Sequence, residues 1–186
     1  MRLFLAGVVP DALKQSLETQ LEPVRAATRQ ARWLPPESVH LTLVFLGAVP
    51  DGSVPALEQA FAPVCARHPS MALTLAGVET FGSSRSPRVL ATTLGGEVEA
   101  LHALVTDARR VAETIVPLEP ERPFRPHLTV ARARSAHGDH LLGRCRTALV
   151  RALDGGFVLQ EVALVKSATL PTGAVHTELY RWKLAG

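Results

Sequence analysis

The sequence predicts an α+β fold in which a strand–helix–strand–helix–strand unit occurs twice and one more strand ends the chain. Strand-like runs alternate with segments whose apolar residues recur at helical spacing. The pattern His-Leu-Thr-aliphatic occurs at 40–43 and again at 127–130, each time a similar distance after a strand-like run. The pattern favours an antiparallel sheet and a single domain over 1–186, with sequence repeats at about 1–86 and 87–186.

The first repeat is expected to contain two helices and three strands. The apolar run 1–9 predicts a buried first strand rather than a signal peptide, because no cleavage region follows it. A helix opens at Pro10 and Asp11, and a connection through Trp33 leads to the first His-containing strand. A strand at 71–78 completes the repeat. The apolar faces of the two helices are formed by Leu13, Leu17, Leu21 and Val24, and by Leu57, Phe61, Val64 and Cys65.

The second repeat follows the same order. A strand is expected at 88–93, and a helix begins near Glu97. A proline-rich approach over 116–126 precedes the second His-containing strand. The last helix and the two final strands are expected at 137–153, 157–167 and 175–184. The inward face of the helix near Glu97 is formed by Val98, Leu101, Val105, Ala108 and Val111.

The composition limits the classes of protein to which this chain can belong. An apolar fraction of 47% supports a substantial core, and the net charge of +3 suits an anionic partner only mildly. The chain lacks an apolar run long enough to span a membrane, so a cytoplasmic location is expected. Cys65 and Cys145 are not spaced as metal ligands, and buried thiols are expected. His137 and His140 form H-x-x-H without further ligands, which favours a solvated helix start over a metal site.

The repeated pattern carries the chemistry. Because side chains alternate along a strand, His40 and Thr42 share one face, as do His127 and Thr129. Imidazole has an ordinary pKa of about 6.5, so one ring can remove a proton while the other supplies one. The threonine hydroxyls can donate hydrogen bonds to phosphate oxygens. These groups suffice for hydrolysis of a phosphodiester without a metal or another cofactor.

Residues around the second pattern extend this hypothesis. Arg125 and Arg132 can add cationic contacts to a phosphate, although Arg132 reaches the same face only at a strand end or a bulge. Trp33 and Phe124 either stack on a base or close the core. A 2′,3′-cyclic phosphate is a fitting target, because the 2′-hydroxyl that forms it exists in RNA and not in DNA.

With these residues identified, the chain resembles the 2H phosphoesterase superfamily, in particular the RNA 2′,3′-cyclic phosphodiesterases historically called 2′-5′ RNA ligases. The resemblance is carried by residues 2–6, 40–47, 81–82, 87–90 and 123–132. It implies a bilobal fold with antiparallel sheets around a central cleft. It also implies metal-free hydrolysis to a 2′-phosphomonoester, and members can also join 2′-5′ RNA linkages.

The resemblance further implies roles for single residues. His40 corresponds to the proton donor and His127 to the proton acceptor. The chain departs from the family pattern at His176, where an aromatic residue is common, and at Ala91, where a tryptophan is frequent.

Two alternatives stay open beside an enzyme for RNA ends. One is an enzyme of the same superfamily that acts on a small nucleotide cyclic phosphate. The other is a nucleotide- or RNA-binding module without turnover, which two titratable histidines argue against because binding alone does not require them. RNA or an oligonucleotide with a cyclic phosphate end is the expected partner, with no membrane and no obligate protein partner.

Overall fold

A curled antiparallel sheet organises the chain. The computed structural model describes residues 1–28, 31–120, 123–149, 153–170 and 173–186. Its strands are β1 (Arg2–Gly7), β2 (Arg32–Trp33), β3 (Leu41–Ala48), β4 (Met71–Gly82), β5 (Pro87–Gly96), β6 (His127–Arg132), β7 (Gly156–Leu159), β8 (Glu161–Leu170) and β9 (Gly173–Lys183). Its helices are α1 (Asp11–Ala27), α2 (Val54–Arg67), α3 (Val98–Glu113) and α4 (Leu141–Leu149).

The strand order is symmetric about the junction of β6 and β3. It runs β7-β4-β5-β6-β3-β1-β8-β9, with β2 beside β6, and the neighbouring strands are antiparallel. The third predicted strand of each repeat pairs with the first strand of the other, β4 with β5 and β8 with β1. The α+β class with antiparallel pairing is confirmed. The origin of this symmetry in a duplication stays a prediction.

The sheet is strongly curled, as the strand predicted at 157–167 demonstrates. It is interrupted at Gln160, and its two parts pair near opposite ends of the strand order, β7 with β4 and β8 with β1. In a flat sheet these parts would lie about 29 Å apart, far more than one connecting residue can span. Curling removes this gap, and a Cβ added at Gly7 of β1 would lie only 2.9 Å from Leu159 of β7.

The helices and one face of the sheet form the main core. The apolar helix residues Leu13, Leu57, Phe61 and Leu101 are buried there with the apolar side chains of the strands, as the helical periodicity predicts. A separate small cluster of Phe4, Ala6, Ala163 and Val165 belongs to β1 and β8 alone and lies on the other face of the sheet. This face therefore remains available for a binding site.

The two cysteines are buried, as expected. Burial raises the pKa of the Cys65 thiol to about 11, so it stays protonated and weakly nucleophilic at neutral pH. Among the helices of the described residues, none has the length and apolar character to cross a membrane.

The last helix begins later than predicted. It starts at Leu141 instead of residue 137, because the Asp139 carboxylate accepts a hydrogen bond from the Leu141 backbone N–H at 2.9 Å and so caps the first turn. Gly138, with φ +89°, turns the chain just before this cap, and a side chain there would collide with the Ser86 carbonyl. Residues 150–152 of the predicted helix lie outside the described part of the chain.

Two equivalent β-bulges follow the threonines of the repeated pattern. Leu43 is the extra residue between β3 and β1, and Val130 is the extra residue between β6 and β5. A bulge shifts the alternation by one position. The residue three places after each threonine, Phe45 or Arg132, therefore lies on the same face as that threonine.

Candidate active site

The two His-containing segments meet at the centre of the sheet. Leu41 of β3 pairs with Leu128 of β6, and both leucines are fully buried in the main core. The neighbouring positions project to the opposite face, where His40, Thr42, His127 and Thr129 are half-buried. The antiparallel register sets His40 beside Thr129 and Thr42 beside His127. The sequence pattern thus becomes a single cluster on the concave face.

Each imidazole is held by the same type of backbone contact. Nδ1 of His40 lies 2.8 Å from the Ser38 carbonyl oxygen, and Nδ1 of His127 lies 2.7 Å from that of Arg125. Because a carbonyl only accepts, Nδ1 carries the proton that is donated in each contact. In a neutral ring this leaves the lone pair on Nε2, the nitrogen available for proton exchange.

A phenylalanine ring supports each histidine. The ring centroids of Phe4 and His40 are 4.8 Å apart, and those of Phe81 and His127 are 4.7 Å apart. The two phenylalanines come from non-equivalent strands, β1 and β4. The two halves of the site therefore build similar surroundings from different positions, and sequence analysis did not identify either ring. The only sequence signal for such a role is that Phe81 and Glu79, two positions apart in β4, project to the same face of the strand.

A third histidine contacts the first. His176 of β9 meets the His40 ring edge to face, with centroids 4.8 Å apart, and lies 5.2 Å from Phe4. In the sheet order β9 is three strands away from β3, so the curl of the sheet brings these rings together. Burial and then the positive charge of Arg132 lower the pKa of His176.

The surroundings of His40 keep its ring neutral in the free protein. Burial is the largest cause, and the neighbouring His176, Arg132 and His127 add to it, while the hydrogen bond to Ser38 opposes it. Together these effects lower the pKa of His40 to about 4. An anion bound between these groups would favour the charged ring and so oppose the effects of burial and repulsion on the pKa of His40.

Arg132 reaches the histidines because of the bulge at Val130. It pairs across the sheet with Arg32 of β2, and burial followed by the charge of Arg32 lowers its pKa. Its charge also lowers the pKa of both His40 and His176. From the sequence, Arg132 was expected on the face of the histidines only if a bulge or a strand end changed the alternation. The structure contains such a bulge.

Arg125 and Phe124 are placed differently from Arg132. The Arg125 guanidinium forms an ion pair with the Glu79 carboxylate and lies 5.1 Å above the Phe81 ring. Its charge beside His127 is therefore neutralised within the protein. Phe124 does not join His40 and His127: its ring lies 5.2 Å from His102 of α3 and packs against the main core. An apolar ring in a coil beside a helix gains more by this burial than by exposure.

Potential metal ligands are scattered rather than clustered. Within the described ranges, no group of three or more His, Cys, Asp and Glu side chains is arranged to hold a metal ion. The H-x-x-H histidines lie before α4, and the His140 side chain is 81% exposed, with Nδ1 3.8 Å from the Asp139 carboxylate.

The chain is similar to known phosphoesterases. A family model described as LigT-like phosphoesterase matches residues 8–91. The RNA 2′,3′-cyclic phosphodiesterase of Bacillus subtilis is 30% identical over 135 residues, which cover 69% of each protein. The protein of the same name from Geobacillus stearothermophilus is 33% identical over 129 residues, and the match spans 69% of this chain and only 41% of that relative.

Solved structures share the whole fold. The crystal structure of TT0787 of Thermus thermophilus superposes with a TM-score of 0.81 at 27% identity, covering 100% of this chain and 99% of that one. Escherichia coli LigT complexed with 3′-AMP superposes with a TM-score of 0.73 at 26% identity, covering 100% and 98%.

Proposed function

The chain belongs to the LigT-like phosphoesterase family, and we propose that it hydrolyses RNA 2′,3′-cyclic phosphodiester ends to 2′-phosphomonoesters. One observation carries the proposal. His40 and His127 lie on the same concave face, and each is fixed through Nδ1 so that Nε2 exchanges protons. A pair of imidazoles beside two hydroxyls provides the acid, the base and the anion contacts that the reaction needs.

The proposed reaction is a single displacement at phosphorus. Nε2 of neutral His127 takes a proton from water, and the water oxygen forms a bond to phosphorus. The bond from phosphorus to the 3′ oxygen breaks, and this oxygen receives the Nε2 proton of charged His40. Thr42 and Thr129 donate hydrogen bonds to the non-bridging oxygens, and Arg132 offsets the negative charge that they carry. No step requires a metal ion.

This scheme predicts that His40 gains its proton with the substrate. In the free protein its pKa of about 4 leaves it neutral at pH 6. A bound phosphate removes the repulsion and favours the imidazolium, so the pKa must rise in the complex. NMR titration of the imidazole nitrogens, with and without adenosine 2′-monophosphate, measures this change. A pKa that stays near 4 in the complex would exclude His40 as the donor at neutral pH.

The direct test of function uses an RNA oligonucleotide with a 2′,3′-cyclic phosphate end. We expect conversion to the 2′-phosphomonoester, with no 3′-phosphomonoester, and equal rates with and without excess EDTA. Chromatography against both authentic isomers identifies the product. Loss of activity on chelation, restored by zinc or manganese, would contradict the metal-free scheme. Formation of the 3′ isomer would contradict the assignment of the leaving oxygen.

Two other activities are separated by the same assay. An enzyme for small nucleotides would hydrolyse adenosine 2′,3′-cyclic phosphate at least as well as the oligonucleotide, and a binding module would hydrolyse neither. Joining of RNA through a 2′-5′ linkage is the reverse of related chemistry and is tested with a 5′-hydroxyl RNA as the second substrate. The cytoplasmic location and the lack of an obligate protein partner stay predictions from the sequence.

A further inference from the structure

A shallow depression lies between β2 and the C-terminal half of α1. It has a volume of about 370 Å³ and is lined by Arg25, Arg32, Trp33, Arg134 and Glu22, with two alanines. None of these residues has a part in the reaction described above. The volume is sufficient for a nucleotide-sized group.

Arg32 joins the depression to the catalytic face. It lines the depression and also pairs directly with Arg132 across the β2–β6 ladder. Opposite residues in an antiparallel pair have Cβ atoms about 5 Å apart and project to the same face. Arg132 in turn acts electrostatically on His40. Arg132 and Arg32 therefore form a cationic strip that extends from the histidine cluster to the border of the depression.

The strip is unfavourable unless an anion binds it. Like charges directly opposite one another destabilise a sheet, and the charge of Arg32 lowers the pKa of Arg132. In the part of the chain that the structure describes, neither arginine forms an ion pair with a carboxylate. Such a pair is a built binding element for two neighbouring phosphates, because guanidinium groups recognise phosphate through forked hydrogen bonds.

The other walls of the depression are suited to a nucleoside. The Trp33 ring is half-buried and packs against the main core, its Nε1–H donates to the Thr28 carbonyl at 3.2 Å, and the residue also lines the depression. Arg25 is partly neutralised by Glu18 at 3.5 Å, and Glu22 adds a negative charge at the α1 side. Arg32, by contrast, has no carboxylate partner among the described residues.

We propose that this strip and the depression bind the RNA segment that precedes the cyclic phosphate end. Arg132 and Arg32 contact consecutive phosphates of the strand, and Trp33 provides an apolar wall for the preceding nucleoside. The inference rests on the proposed function, because it assigns a binding site to the part of the RNA that lies outside the histidine cluster when the terminal nucleotide reacts. It makes the enzyme selective for oligonucleotides over mononucleotides.

The first experiment compares two substrates, adenosine 2′,3′-cyclic phosphate and a triadenylate ending in the same group. The wild type is expected to have a kcat/KM at least about tenfold higher for the triadenylate, the value of one charged hydrogen bond. Arg32→Gln should reduce this ratio several-fold, mainly through the KM of the triadenylate. Arg110→Gln on α3, which is exposed and paired with Asp107, removes the same charge elsewhere and should leave the ratio unchanged.

The second experiment measures binding without turnover. The chain has two tryptophans, and Trp182→Phe leaves Trp33 as the only one. Triadenylate ending in a 2′-phosphate should change the Trp33 emission, adenosine 2′-monophosphate should not, and adding Arg32→Gln should weaken the response. Higher salt should weaken binding of the triadenylate more than that of the mononucleotide, because more phosphate contacts are lost.

The outcomes separate the inference from the function on which it rests. Equal kcat/KM values for both substrates, unaltered by Arg32→Gln, would overturn the inference while the hydrolytic function stands. Hydrolysis of neither substrate would overturn the proposed function. In that case the Trp33 emission tests binding to the strip separately, and an unchanged emission with triadenylate would overturn the inference.

Discussion

Turnover is expected to fall by at least about a hundredfold when either His40 or His127 is replaced by alanine. Each substitution removes a proton-transfer group on the concave face, where the side chain is only half-buried. The free energy of unfolding should therefore change little. Single-turnover kinetics with an oligonucleotide ending in a cyclic phosphate measure the chemical step, and urea unfolding checks the fold. His140→Ala, whose side chain is 81% exposed outside the site, is the matched control.

The pH dependence of the residual activity assigns the two roles. The base must be neutral, so the acid limb of the kcat profile belongs to His127. The acid must be protonated, so the alkaline limb belongs to His40. His127→Ala should remove the acid limb, and His40→Ala should remove the alkaline limb. Full activity of His40→Ala would refute its assignment as the proton donor, and loss of the opposite limb in each variant would exchange the two roles.

The largest effect on stability is expected for Leu128→Ala. Leu128 is fully buried and pairs with Leu41 where the two symmetric parts of the sheet meet. Removing its side chain leaves a cavity beneath both histidines, and the free energy of unfolding should fall by about 2–5 kcal/mol. Urea unfolding followed by circular dichroism measures this loss.

An exposed aliphatic residue gives the control for this substitution. Val158→Ala in β7, where the side chain is 47% exposed, should cost less than about 1 kcal/mol. If Leu128→Ala cost no more than Val158→Ala, the contact between Leu41 and Leu128 would not be what holds the junction of β3 and β6.

The elements of the fold were largely predictable because their signals are local. Apolar residues at helical spacing identified α1, α2 and α3, and alternation around His40 and His127 identified the strands that carry them. The start of α4 was placed too early because the turn before it depends on a distant segment: Gly138 lies against Ser86, and the Asp139 backbone N–H donates to the Pro87 carbonyl at 2.8 Å.

The sequence by itself determined the pair of histidines, the threonines on the same face, and the antiparallel α+β class, because alternation and helical periodicity are properties of neighbouring residues. Only the tertiary structure decided what surrounds them. The bulge at Val130 turned Arg132 toward the site, and the curl of the sheet set His176 against His40. Burial and the charges gathered there lower the pKa of His40 to about 4. These features depend on distances between segments far apart in the chain, and the same fold brought Arg32 beside Arg132.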